Sequence, residues 1–248
     1  MKIFFKASLK RVNTWMVFIV LLAVLCLLVF LRNPQLFPVT VVKVDGNYWH
    51  VSEQDIIKLV DPEIKKGFFK ANLAKIQSDL KYNLPWIDKV SVTRVWPRVY
   101  EISISQKQPM ATWNNNALID KDFSLFYPLA PTFPQDLPVF EGNTTQEKIV
   151  AQDYQVMMSD LKEMSFAIAT IKVSSDGNWE VTFDNEGVVM LGNRDILGRF
   201  KRFVAIYEQL VDEKQKTPAY IDMRYSHGVA VKWALTEEKQ DYVKAKSQ

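Results

Sequence analysis

Cysteine occurs once in this chain and histidine twice. The single thiol, Cys26, stands inside a long apolar run, so no intramolecular disulfide forms and the rest of the chain must hold together by core packing. His50 and His227 are far apart in sequence, and neither belongs to a metal-ligand motif. No G-x-S-x-G, H-E-x-x-H or P-loop spacing is present. The segments "GNRD" (192–195) and "DGNW" (176–179) read as turns, and Glu237 and Glu238 as solvated charge in a polar tail. An enzyme needs an acid–base pair, an activated nucleophile, a metal cage or a phosphate cradle. None is legible here, so no catalytic residue, no metal site and no cofactor is expected.

Charge is also missing from one place. From Trp15 to Leu31 the chain has seventeen residues without a charge, proline or glycine. Adding residues 12–14 makes the run roughly 30 Å long as a helix at about 1.5 Å per residue, the thickness of a bilayer's hydrocarbon core. The expectation is a single transmembrane helix over 12–31, bounded by Arg11 and Arg32. Residues 1–11 contain Lys2, Lys6, Lys10 and Arg11 and no acid, which exceeds the whole formal net charge of +3. The basicity is therefore a topological signal and not a nucleic-acid footprint. It places 1–11 in the cytoplasm and exports the remainder, a single-pass type II arrangement. A cleaved signal peptide is disfavoured, because the apolar run is too long and no A-x-A-like site follows.

After a connector at 32–36, "VTVVKVDGN" reads as a strand ending in a turn. Ser52 with Asp55 reads as a capping box opening a short helix. Leu73, Ile76, Leu80 and Leu84 define a second amphipathic helix, and two alternating strands follow in "KVSVTRVW" and "YEISIS". The order is strand, helix, helix, strand, strand. From Pro109 onward, short strands, a helix near 146–164, three more strands, a helix near 194–212 and a final hairpin make a second unit. That unit is expected to be mainly antiparallel, with two packed helices. The fold class is α+β. Trp15 reads as an interfacial anchor. Trp49, Trp86, Trp96, Trp113 and Trp179 are expected to close small cores. Trp233 points with Val229 and Val231, on the last strand. The tail 236–248 lacks an apolar stripe and reads as flexible.

"VDGN", "S-x-x-D-I", "GFF", "LPWI", "RVWP" and "IDMRYSHGVAVKW" together resemble the FtsQ family of bacterial cell-division proteins, called DivIB in some bacteria. The resemblance implies a POTRA domain at 37–106 and an FtsQ-type β domain at 107–235. It also implies a non-enzymatic role at the division septum of the cell inner membrane, with most of the chain periplasmic. FtsB and FtsL are the implied partners in a ternary complex that controls septal peptidoglycan synthesis. FtsK, FtsW and FtsI are further candidates, with no nucleic acid and no small-molecule substrate. The residues that match the family's partner-binding positions are Arg224, Tyr225, His227, Gly228 and Trp233. His227 stands where the family commonly has a small residue. The alternative reading is a membrane-anchored POTRA protein that handles polypeptides, as chaperone or assembly factor. Such chains usually string several POTRA units before a barrel, and this one has neither.

Overall fold

The computed structural model describes residues 14–31, 33, 35–129, 133–214 and 216–234. The expected cytoplasmic tail and the C-terminal tail lie outside them. The chain divides into two compact units, 1–106 and 107–248.

In the first unit, α1 (Thr14–Leu31) is apolar on every face, and every side chain from Trp15 to Phe30 is exposed. Among the described residues no helix is long and apolar enough to cross a membrane. The 18 residues of α1 reach only about 27 Å at ~1.5 Å per residue. The first two residues of the expected span, 12 and 13, are not described.

The expected strand–helix–helix–strand–strand order follows: β1 (Val41–Asn47), α2 (Glu53–Ile64), α3 (Leu73–Asn83), β2 (Ile87–Val95) and β3 (Val99–Gln106). The sheet order is β1-β3-β2, with β1 parallel to β3 and β2 antiparallel to it. Ile56 and Val60 of α2, Ile76 and Leu80 of α3, and Val92, Tyr100, Ile102 and Ile104 of the sheet are buried together. The helical spacing of 3 and 4 and the strand spacing of 2 direct these residues to one side of each element. Gly46 is required where it stands: its φ is +119°, and a Cβ there would lie 2.0 Å from the carbonyl oxygen of Ile104.

The capping box forms only in part. The Ser52 hydroxyl accepts from the Gln54 amide at 3.2 Å, but Asp55 turns outward to Lys58 at 3.3 Å. Aspartate is one methylene shorter than the glutamate of the usual box. Glu63, only 2 % exposed, instead secures the α2–α3 loop by accepting from the Asn72 amide at 3.0 Å and from Lys66 at 2.5 Å. The Lys66 hydrogen bond, with the Asn72 amide, holds its carboxyl below the usual value. Two tryptophan expectations fail. Trp49 is 87 % exposed and Trp96 65 % exposed, whereas Trp86, Trp113 and Trp179 are buried as expected. Both exceptions lie at turns beyond the ends of the sheet strands, where no second layer covers them.

The second unit is one sheet of nine strands. Its elements are β4 (Pro109–Trp113), β5 (Ala117–Asp120), β6 (Leu125–Phe126), β7 (Val139–Glu141), α4 (Glu147–Asp160), β8 (Ile168–Val173), β9 (Trp179–Phe183), β10 (Val188–Gly192), α5 (Ile196–Lys214), β11 (Pro218–Asp222) and β12 (Ala230–Trp233). The strand order is β12-β11-β10-β9-β8-β7-β4-β5-β6. Most neighbours are antiparallel. β7–β8 and β10–β11 are parallel because α4 and α5 carry the chain back across the sheet, and β4–β7 is parallel as well. The two helices pack together, and Phe200 and Phe203 of α5 meet Phe183 of β9 in the core.

Candidate partner-binding edge

The sheet of the second unit has two edges. β6 has two residues, too few to template a partner. β12 is the other edge, and among the described residues no strand pairs with its outer side.

The direction of each β12 backbone group follows from the register. Tyr220, Ile221 and Asp222 lie opposite Lys232, Val231 and Ala230. Met223 donates its amide to Met190 of β10 at 2.9 Å, and Ala234 donates to Thr217 at 3.2 Å. Backbone direction alternates along a strand, so Tyr220 and Asp222 face β12, and Ala230 and Lys232 face β11. The backbone N–H and C=O groups of Val229, Val231 and Trp233 therefore point away from the sheet. The side chains of Val229 and Val231 pack partly against the core, while Ala230 and Lys232 are exposed. Lys232 is the one charge on the strand. By comparison, the edge strands of the first unit carry Lys43 and Asp45 on β1, and Asp88, Lys89 and Arg94 on β2.

The segment joining β11 to β12 is held from beneath by α5. Arg202 donates to three carbonyl oxygens of loop residues: Met223 at 2.8 Å, Tyr225 at 2.7 Å and Ser226 at 3.2 Å. Arg199 donates to Leu191 at 2.5 Å and to Arg224 at 3.2 Å. These two arginines were legible in sequence only as the polar side of a helix. Their spacing of three, facing a strand end whose carbonyls lack ladder partners, was the available signal. Planar guanidinium groups with several donors suit this task better than an ammonium would.

Of the matched positions, Arg224 is committed within the chain. Its Nε and Nη2 reach the Asp222 carboxylate at 2.9 and 2.6 Å, and Asp222 also accepts the Arg224 amide at 3.0 Å. That guanidinium hydrogen bond keeps the buried Asp222 carboxyl below its usual range despite burial, and raises Arg224 in turn. The Arg224 side chain still has 51 % of its surface exposed. Tyr225 is 56 % exposed, with its backbone held and its ring uncovered. His227 and Gly228 are exposed at the tip, and with Tyr225 to Ala230 they line an open dish of about 460 Å³. A Cβ on Gly228 would meet nothing within 4 Å, and its φ lies outside the left-handed region. Trp233 lies at the far end of β12. It is partly exposed and borders a cleft of about 710 Å³ with Phe166, Tyr207, Pro218 and Lys232. Trp233 is thus not plain core. The structure brings Arg224, Tyr225, His227 and Gly228 together, with Trp233 one strand length away on the same edge.

Nothing in this region resembles a reaction centre. Two Ser-x-x-Lys spacings occur elsewhere, at Ser78–Lys81 and Ser159–Lys162. Each hydroxyl donates back to the carbonyl three residues earlier in its own helix, at 2.9 and 2.7 Å. The buried carboxylate Asp120 is occupied too. Burial pushes its carboxyl up, but the Ser124 amide and hydroxyl and Lys107 outweigh that and hold it below the usual value. Among the described residues no cluster of His, Cys, Asp or Glu could hold a metal ion.

Comparison with known proteins finds relatives of both units. Residues 37–105 match the family model described as "POTRA domain, FtsQ-type", and residues 111–224 match "Cell division protein FtsQ/DivIB, C-terminal". The chain is 28 % identical to the cell division protein FtsQ of Coxiella burnetii, covering 92 % of this chain and 93 % of that one. It is 29 % identical to FtsQ of Allochromatium vinosum, covering 86 % and 88 %. It is 28 % identical to FtsQ of Hahella chejuensis, covering 79 % and 70 %. With both domains matched in the same order along nearly the whole chain, this protein belongs to the FtsQ/DivIB family of cell-division proteins.

Proposed function

We propose that this chain is a non-catalytic, single-pass type II scaffold of the cell inner membrane. It joins the membrane and periplasmic parts of the division machinery at the septum by binding FtsB and FtsL. The observation that carries the reading is the β12 edge, whose outward backbone groups are open and whose loop is fixed in place by Arg199 and Arg202. A partner segment adds to β12 as a further strand, with backbone hydrogen bonds supplying affinity and flanking side chains supplying selectivity. Tyr225 and Trp233 are the anchors, because large, fairly rigid aromatic side chains dominate interface energies. Arg224 keeps its bond to Asp222 and offers the rest of its guanidinium to a partner acid. His227 and Gly228 shape the loop surface over which the partner's chain passes. The anchor is the 12–31 helix, supported by the all-round apolar surface of α1 and the basic residues that precede it.

The test is a titration of the full chain with FtsB, read beside thermal unfolding. Tyr225→Ala and Trp233→Ala should each weaken binding at least tenfold, about 1.4 kcal/mol, with little change in melting temperature. Two stable variants that bind as the parent does would remove this edge as the site.

A further inference from the structure

Two loops of the first unit share one composition. The α2–α3 loop reads Lys65-Lys66-Gly67-Phe68-Phe69-Lys70, and the β2–β3 turn reads Arg94-Val95-Trp96-Pro97-Arg98. Each sets aromatic residues between cations. The fold brings both loops to the point where the chain leaves α1. Phe37, the first residue past the connector, stacks edge-on against Phe30 of α1, with ring centres 5.9 Å apart, and against Phe69 at 5.3 Å. Trp96 lies 6.1 Å from Phe69 and 6.3 Å from Phe37. The backbone ties the same three segments. Phe68 donates its amide to the carbonyl of Phe37 at 2.9 Å, and Thr40 donates to that of Arg98 at 3.0 Å. The stretch that follows the connector, 37–40, is therefore fastened to both loops.

Core packing does not account for this cluster. Phe30, Phe69 and Trp96 are exposed, as is Leu36 beside them, while Phe68 and Tyr100 beneath are buried. The acids nearest in sequence are already engaged, Asp61 with Lys65 at 2.5 Å and Glu63 with Lys66 at 2.5 Å. Arg94 is spent on the carbonyls of Phe68 and Ala71. Lys70, next to Phe69, and Arg98, two residues after Trp96, remain exposed. Exposed tryptophan, phenylalanine and leucine ringed by lysine and arginine are suited to a bilayer's polar–apolar boundary. Rings occupy the headgroup level there, and cations meet lipid phosphates.

We infer that Phe69 and Trp96, with Lys70 and Arg98 around them, seat the first unit on the outer surface of the same membrane that α1 enters. The POTRA unit then has a fixed tilt against the bilayer instead of swinging on a free connector. The occupant is the lipid headgroup layer, because the patch is joined to the apolar helix through Phe30 and Phe37. This inference rests on the anchor reading above.

The test uses the full chain in nanodiscs of phosphatidylcholine and phosphatidylglycerol carrying bromine on the upper acyl chain. Trp96→Phe, Trp15→Phe and Trp49→Phe are each subtracted from the parent to isolate one tryptophan's emission. Trp49, exposed beyond the opposite end of β1, reports the aqueous side. Expected are at least twofold quenching of Trp15 and Trp96 by bromolipid, and quenching of Trp49 by iodide alone. Lys70→Glu with Arg98→Glu should lower the Trp96 quenching and leave that of Trp15 unchanged. Trp15 quenched by lipid with Trp96 quenched by iodide, or by neither agent, overturns the seating while the anchor stands. If neither Trp15 nor Trp96 is quenched by lipid, the anchor reading fails and the seating with it.

Discussion

Replacing Val231 by proline separates the outer side of β12 from its inner side. The Val231 amide points away from β11, because Ala234 and Lys232 occupy the inward positions. Proline there removes a donor that serves no bond among the described residues, and an edge strand tolerates it. Val231 is only partly buried, so the folded protein should lose about 1 kcal/mol or less. In the complex the added strand would present a carbonyl to a missing donor in a covered place. An unsatisfied group of that kind costs about 1–3 kcal/mol, which is roughly 5- to 150-fold in affinity. Lys232→Pro is the opposite case. Its amide faces Tyr220 of β11, so the same 1–3 kcal/mol falls on folding, and melting drops by several degrees. The assay is calorimetric titration with FtsB, with melting curves on the same samples. Val231→Pro that binds normally at unchanged stability refutes strand addition at this edge. Lys232→Pro that melts with the parent refutes the register from which the outward groups were deduced.

Arg202→Ala should release the carbonyls of Met223, Tyr225 and Ser226 and cost about 1–2 kcal/mol, discounted for partial exposure. Amide exchange should rise over 223–228, and Arg202→Lys should restore it only in part; unchanged exchange would show that the clamp is ornamental. Leu80 is fully buried between α3 and the sheet, so Leu80→Ala should cost about 2–5 kcal/mol in denaturant unfolding, and a smaller loss would mean that the helix register is wrong. Asp222 and Glu63 have carboxyls lowered from ordinary values of 3.8 and 4.5. Their contribution is complete above those values and is lost as pH falls through the lower folded ones, so melting temperature should hold from about pH 7 to about pH 5 and fall below about pH 4. Asp153, raised by burial, works in the opposite sense. Asp222→Asn with Glu63→Gln should flatten the acid limb, and an unaltered limb would assign the acid loss to other groups.

The partner residues illustrate what was legible early and what was not. Tyr225 and Trp233 stood out as aromatics on a late, weakly charged strand, and the structure leaves both partly or largely exposed on one edge. Arg224 was legible as a cation, but not its bond to Asp222, because a spacing of two puts both side chains on one face of a strand without reporting whether the guanidinium turns back onto the carboxylate. Ser52 and Asp55 fitted a capping pattern by spacing, yet only the serine caps. Side-chain reach decides that outcome, and spacing does not report reach.

Local patterning by itself determined the apolar run, the basic residues before it, the order of helices and strands, and the period that buries Ile76, Leu80, Ile102 and Ile104. Each is a property of residues a few positions apart, where helix and strand geometry dictate which side chains share a face. Tertiary structure alone decided which strand stands at the edge, because β12 is an edge only if α5 returns the chain to place β11 beside β10. It likewise decided that Arg199 and Arg202 grip a loop more than twenty residues away. It also gathered Phe37, Phe69 and Trp96 at the exit of α1. Those placements depend on pairings between distant segments, whose closure is selected by the packing of the whole unit and leaves no periodic trace along the chain.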